Sequence, residues 1–224
     1  IIGRAIKEKK IKVLFYNPRM YVTGKYKKVW PDGNISRIVD DRPFGGGPGM
    51  VIRAEPILLA VESVLRKLKV KSEKLKGNSK KLGAIRKARD ARIKIINFFP
   101  SGKKFTTEYA KETEKKYTDI VLICGRYEGI DARVDKILKT DQISIGDFVV
   151  TGGELPAMIV IDCMSRQVDG VLNKKESLEE ERVSSSEFYT RPEILEYNGK
   201  KHRVPKVLLG GNPKLIDEWK KRKK

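Results

Sequence analysis

The side chains able to do chemistry gather in a few short stretches, and glycine surrounds most of them. One stretch begins Ser144-Ile145-Gly146-Asp147, a polar turn, and continues as the apolar run Phe148-Val149-Val150. That run has strand composition. Thr151-Gly152-Gly153 breaks it, and Glu154 to Asp162 reads as a helix start with Pro156 in the first turn. Two glycines between a strand and a helix let a ligand approach the backbone closely. A second stretch, Asp40 to Met50, is rich in glycine and proline and reads as a loop. It lacks the GxxxxGK[ST] spacing, and no GxGxxG sits between a strand and a helix, so a nucleotide triphosphate site is not expected. Asp40 and Asp41 suit either a divalent metal or a loop cap, and the sequence alone favours the cap. A third stretch, Cys124 to Val134, holds Arg126, Tyr127, Glu128, Asp131 and Arg133. Its charges can pair with one another, and Tyr127 can stack on an unstacked base or join the core.

Composition narrows the chemistry further. Cys124, Cys163 and His202 are the only thiols and imidazole, too few for a zinc site. Both cysteines lie in apolar runs and read as buried core thiols. No apolar run approaches a membrane span, and the charged start carries no signal peptide, so a cytoplasmic protein is expected. The net charge is +20 over 224 residues. Residues 1–30, 66–94 and 199–224 together carry +27, which leaves −7 for the rest. A basic periphery around a mildly acidic centre suits a protein that grips a polyanion by its edges. His202, amid lysines and arginines, reads as a phosphate contact rather than a catalytic base.

These stretches need elements to position them. Residues 1–10 read as a short helix, Ile11 to Tyr16 as a strand and Glu55 to Leu68 as an amphipathic helix. Residues 69–92 read as a basic solvated insert. Ile93 to Phe99 reads as a strand ended by Pro100-Ser101-Gly102, and Phe105 to Lys116 as a helix capped by Thr106 or Thr107. Asp119 to Cys124 is another strand, and Val134 to Lys139 reads as a connection before Ile143. Strands alternating with helices predict an α/β fold with a mostly parallel sheet. Residues 173–187 read as a linker. Beyond it come a turn at Asn198-Gly199 and a helix start at Asn212-Pro213.

The stretches Asp40–Met50, Cys124–Val134 and Ser144–Met158, followed by Tyr189-Thr190-Arg191-Pro192-Glu193, closely resemble the signature segments of the bacterial tRNA (guanosine-37-N1)-methyltransferases. That family is of the knotted SPOUT class. The resemblance implies a mostly parallel α/β sheet with a deep C-terminal trefoil knot over residues 1–172, a linker at 173–187, and a short helical tRNA-binding extension over 188–224. It also implies methyl transfer from S-adenosylmethionine to N1 of guanosine 37 in tRNA. The alternatives are another RNA methyltransferase of that class and an inactive RNA-binding relative. Cofactor contacts implied by the resemblance are Phe99, Pro100, Gly125, Tyr127, Glu128, Ile145, Gly146, Asp147, Phe148, Val149, Val150, Gly152, Gly153 and Pro156. Many relatives carry Tyr where this chain has Phe148. Substrate contacts would be Asp40, Gly49, Met50, Tyr127 and Arg166. Arg166 would engage guanine O6. Glu181, counted from Gly170-Val171-Leu172, would be the general base, with Glu179 and Glu180 as neighbours of equal chemistry. No residue is assigned as a metal ligand, although the resemblance implies a Mg²⁺ requirement. It implies a homodimer with the site shared between subunits. The family begins with a strand and a Leu-Phe-Pro segment that this sequence lacks, so its first strand is expected to be missing.

Overall fold

The computed structural model describes residues 1–77, 92–172 and 185–222. They divide into two units, Ile1–Val171 and Leu172–Lys224.

The first unit opens with α1 (Ile2–Lys7). Residues 11–16 form no strand, contrary to the sequence reading. The alternation of Ile11, Lys12 and Val13 fails at Leu14-Phe15, so no uniform apolar face exists to bury, and Phe15 is 92% exposed. Two 3₁₀ turns, Pro18–Tyr21 and Gly24–Tyr26, lead to a hairpin of β1 (Lys27–Val29) and β2 (Ile35–Arg37). A second, very short hairpin pairs β3 (Asp40–Asp41) with β4 (Val51–Ile52) and closes the glycine-rich loop between them. Helix α2 (Ala54–Gly77) runs well past Leu68, so the start of the basic insert is helical. The rest of that insert, 78–91, lies outside the described residues.

The sheet holds three parallel strands, β5 (Ile93–Lys104), β6 (Asp119–Ile123) and β7 (Asp141–Ser144), in the order β6-β5-β7. Helix α3 (Thr107–Lys116) connects β5 to β6, and Thr106 Oγ1 caps it by accepting from the Tyr109 N–H at 3.2 Å. Residues 133–138, read as a connection, form α4 (Arg133–Leu138), because Val134 is fully buried and anchors a turn of helix. Helix α5 (Glu154–Gln167) follows β7.

Alternation along the strands sorts side chains to two faces. Ile95, Val121 and Ile123 meet Ile57 and Val61 of α2 and Val134 of α4. Phe98, Ile120 and Leu122 meet Ala110 of α3 and Val160 and Met164 of α5. The result is helix–sheet–helix layering, with the direction of strand order reversing at β5. Ligands of open α/β sheets bind beyond the carboxyl ends at such a reversal.

Two strand readings need correction. Strand β5 does not end at Phe99. Its pairing with β7 is interrupted between Phe98 and Lys103 and resumes beyond, so residues 99–102 bulge out of a continuing strand. Phe148-Val149-Val150 is not a strand. Phe148 is 56% and Val149 80% exposed, and the run belongs to the loop between β7 and α5.

The second unit pairs β8 (Ile194–Tyr197) with β9 (Lys200–Arg203). Asn198 and Gly199 both take positive φ, 49° and 72°, as a tight two-residue hairpin requires. Short α6 (Lys206–Leu209) and α7 (Pro213–Arg222) follow. Asn212 Oδ1 caps α7 by accepting from the Lys214 N–H at 3.1 Å.

Candidate active site

Three loops gather at the carboxyl ends of β5, β6 and β7: the bulge 99–102, residues 124–130, and residues 145–153. Between them is a cleft of about 370 Å³, within the usual range for a small-molecule site.

The loops are held together by backbone. The Gly153 N–H donates to Gly125 O at 2.8 Å, and Arg126 bridges Gly152. A Cβ on Gly153 would sit 2.6 Å from Cys124 Cα, so only glycine permits this approach. Arg126 Nε donates to Glu154 Oε1 at 2.9 Å, fixing the second loop to the first turn of α5. Ser144 Oγ folds the third loop by donating to Gly146 O at 2.9 Å. On the far side, the 124–130 loop is laced to β4 and its glycine-rich approach. The Glu128 N–H donates to Met50 O at 3.1 Å, the Ile52 N–H to Gly129 O at 3.0 Å, and the Asp131 N–H to Ile52 O at 2.9 Å. Gly49, at φ +84°, lies against the Glu128 side chain. Tyr127 takes the left-handed conformation, φ 58°, with its ring 59% exposed. A non-glycine residue in that region stores strain at a ligand-facing position.

The cleft is lined by Phe99, Pro100, Gly125, Tyr127, Glu128, Ile145, Phe148, Val149, Val150, Gly152, Gly153 and Pro156 from among the expected cofactor contacts. Gly146 and Asp147 do not line it. Asp147 turns to Lys104 instead, at 2.7 Å. Of the expected substrate contacts, Tyr127 lines the cleft, and Gly49 and Met50 abut it through Glu128. Asp40 sits in β3 beside Ile52, and Asp41 caps the loop by accepting from the Arg42 N–H at 2.8 Å. Arg166 lies in the last turn of α5, away from the cleft. Glu179, Glu180 and Glu181 lie outside the described residues. Asn97, Ser101, Arg126 and Thr151 also line the cleft and were not among the expected contacts. Arg126 and Thr151 lie inside the motifs themselves. Asn97 is a polar residue within an apolar strand, which is itself a signal. Its Nδ2 donates to Asp135 Oδ1 at 2.9 Å, and its Oδ1 is buried without a hydrogen-bond partner among the described residues.

Walls of Phe148, Val149 and Ile145 with edges of backbone N–H and C=O suit a flat heteroaromatic group read by its hydrogen-bonding rim. Arg133 donates to Asp131 and holds that carboxyl below the usual carboxylate range. Arg126 pairs with Glu154 rather than with Glu128. The cysteines are half-buried rather than buried. Burial, helped by the charge of Glu154, pushes the Cys124 thiol up to about 11, so it is a neutral thiol and a poor nucleophile at neutral pH. Among the described residues, no three His, Cys, Asp or Glu side chains come together as a metal site, and no helix is long and apolar enough to cross a membrane.

Comparison with known proteins agrees with this geometry. A family model described as tRNA (guanine-1)-methyltransferase TrmD matches residues 1–224. The tRNA (guanine-N(1)-)-methyltransferase of Clostridioides difficile (strain 630) is 40% identical, over 99% of this chain and 82% of its own. Proteins of the same name from Buchnera aphidicola (subsp. Acyrthosiphon pisum) and Caldanaerobacter subterraneus (subsp. tengcongensis) are 38% and 40% identical, covering 79% and 78% of their own lengths. A three-loop cleft built from motifs in this order, matched from end to end, establishes that the chain belongs to the tRNA (guanine-1)-methyltransferase family.

Proposed function

We propose that this chain methylates N1 of guanosine in tRNA, at position 37 beside the anticodon, with S-adenosylmethionine as donor. The observation that carries the reading is the cleft at the β5 strand reversal, with twelve of its lining residues among the expected cofactor contacts. The cleft has the size and the apolar walls for the donor, and its loop backbone supplies hydrogen bonds for an adenine rim. When bound there, the donor supplies an electrophilic methyl carbon on a sulfonium. The protein's tasks are to orient that group, to take the N1 proton and to stabilise charge at O6. Orientation alone is worth several kcal/mol. The base is Glu181, whose carboxylate would take the N1 proton as N1 gains the methyl group, the methyl–sulfur bond breaking to leave a neutral thioether. The guanidinium of Arg166 faces O6, and its fork suits a guanine edge. Tyr127, exposed at the cleft edge, offers a ring for the unstacked base.

The chain works as a homodimer. Helix α5 begins at the cleft, and ten residues separate Pro156 from Arg166, a rise of roughly 15 Å. An arginine cannot span that distance back along its own helix, which supports a site completed by a second chain. Leu155, Met158 and Ile159 on α5 are 56%, 64% and 48% exposed and form an apolar face suited to that contact. The lacing of residues 144–153 against 124–130 supports the deep trefoil knot. Residues 188–224, joined through the linker 173–187, act as the tRNA-binding part, with Lys200, Lys201, His202 and Arg203 exposed on its hairpin. tRNA modification of this kind is cytoplasmic.

The test is transfer of labelled methyl to unmodified tRNA carrying G or A at position 37. Transfer that needs G37 and falls at least 10²-fold in Glu181→Ala and Arg166→Ala is expected. Donor binding without transfer to any RNA would refute the reading, and transfer elsewhere in RNA would reassign the substrate within the class.

A further inference from the structure

The β1–β2 hairpin belongs to none of the motifs above, yet its surface is unusual. The ladder pairs Lys27 with Arg37, Lys28 with Ser36 and Val29 with Ile35. Beyond it Trp30 begins the turn, its N–H donating to Asn34 O at 2.8 Å. Trp30 is 54% exposed and Val29 66%. A large aromatic side chain at a hairpin tip gains nothing for the fold by facing water. Lys27 and Lys28 are exposed, and among the described residues neither is paired with a carboxylate. The one acid in the turn, Asp32, is oriented by Asn34 and kept anionic: its carboxylate accepts from the Asn34 N–H at 3.0 Å and from Asn34 Nδ2 at 2.7 Å. The tip therefore presents an aromatic ring with Lys28 on its own face of the ladder, Lys27 on the other, and one carboxylate in the turn.

The hairpin is rooted on the same backbone that borders the cleft. The Arg53 guanidinium stacks on Tyr26 at 3.3 Å from the ring centroid. Its Nη1 donates to Ile38 O, and the Arg53 N–H donates to Val39 O at 2.8 Å. Ile52, one residue earlier, exchanges hydrogen bonds with Gly129 and Asp131 of the cleft loop. Aromatic faces flanked by lysines are how proteins hold single-stranded nucleic acid: the ring stacks on a base and the cations neutralise phosphates.

We propose that the β1–β2 hairpin is a second RNA contact, in which Trp30 stacks on an unpaired base outside the cleft while Lys27 and Lys28 hold the adjoining phosphates. This rests on the tRNA reading above and adds a site to it. Charge favours RNA over a protein partner, because the exposed lysines Lys27 and Lys28 outnumber the single carboxylate of the turn.

The experiment measures tRNA binding across a salt series for the full chain, Trp30→Ala and the double variant Lys27→Ala/Lys28→Ala. Trp30→Ala is expected to weaken binding roughly tenfold. The double variant is expected to lower the slope of log affinity against log salt by about 2. Donor affinity and turnover at saturating tRNA should stay within about twofold in both. Trp30 and Trp219 are the only two tryptophans, so in Trp219→Phe the fluorescence reports Trp30 alone, and tRNA is expected to quench it. Unchanged affinity, slope and fluorescence with methyl transfer intact would overturn the hairpin contact and leave the enzyme reading standing. Failure of the unmodified chain to bind or methylate any tRNA would overturn both. A change of oligomeric mass in Trp30→Ala at constant tRNA affinity would overturn it in favour of a protein-docking surface.

Discussion

Replacing Gly153 with alanine probes the cleft at the point where its loops lock. The new Cβ would lie 2.6 Å from Cys124 Cα and 3.0 Å from Gly125 N, both backbone atoms that cannot swing aside. Backbone strain is not involved, since Gly153 has φ −73° and ψ −5°. The cost is steric. Overpacking of this kind costs about 1–3 kcal/mol, and forcing the loops apart also weakens the Gly153 N–H to Gly125 O hydrogen bond, worth about 1 kcal/mol. A loss of about 2–4 kcal/mol corresponds to a drop in Tm of roughly 4–16 °C for a chain of this size. Two other glycines calibrate it. A Cβ on Gly3 would meet nothing within 4 Å, so Gly3→Ala in α1 should be neutral or stabilising by up to about 1 kcal/mol. A Cβ on Gly146 would meet only the Phe148 ring, a half-exposed side chain that can rotate. Gly146→Ala should keep its Tm within about 2 °C and lose donor affinity, because the displaced ring is a cleft wall. Calorimetric unfolding with and without S-adenosylmethionine reads both quantities. Native Tm and native donor affinity in Gly153→Ala would refute the idea that contact between loop backbones shapes the cleft.

Removing the α3 cap by Thr106→Ala should cost about 0.5–2 kcal/mol, and denaturant midpoints at unchanged m-value would check it. Cys124, tested in a Cys163→Ser background, should resist alkylation at pH 8 while the native state persists and react at once in denaturant, because its thiol is held up to about 11. Fast native alkylation at that pH would contradict the burial argument. Asp131 is held below the usual carboxylate range first by its hydrogen bond from Arg133. Its contribution to stability is therefore present above the ordinary carboxylate pKa and disappears as pH falls through the lowered value. The Tm gap between the unchanged chain and Asp131→Asn should close on acidification below about pH 4, and added salt should narrow it at neutral pH because the pair is near the surface.

Much of the fold is legible in side-chain periods. Ile95, Val121 and Ile123 against Ile120, Leu122 and Phe98 separate by parity into two faces, and those faces receive different helices. Thr106 and Asn212 announce helix starts because their oxygens can accept from unpaired backbone N–H groups. The failures have a common physical source. Phe148-Val149-Val150 is as apolar as any strand, but it has no ladder partner and its surface faces the cleft. Apolar composition reports that a surface avoids water and does not say whether a core or a ligand covers it. Residues 11–16 fail in the opposite way: they pair with no strand among the described residues, and their alternation breaks at Leu14-Phe15, where Phe15 is left exposed. The turn of α4 was hidden because six residues are too few to show a helical period, and only the fully buried Val134 reveals it.

The site itself divides along the same line. Glycines and small turns fix where the loops approach, so residues of 99–102, 124–130 and 145–153 converge on one cleft. Gly146 and Asp147 do not line it, because Ser144 curls the turn back on itself and Lys104 draws Asp147 away. Arg166 is a different case. Its position on α5 follows directly from helix rise, and that rise carries it away from its own cleft. No pattern within one chain can show which cleft such a residue serves. If the arginine acts on the guanine, its helix must present it to the cleft of another copy, and the exposed Met158 and Ile159 on the same helix supply an apolar surface on which that copy can sit. The geometry of a single helix thus links the role proposed for Arg166 to the dimer proposed for the chain.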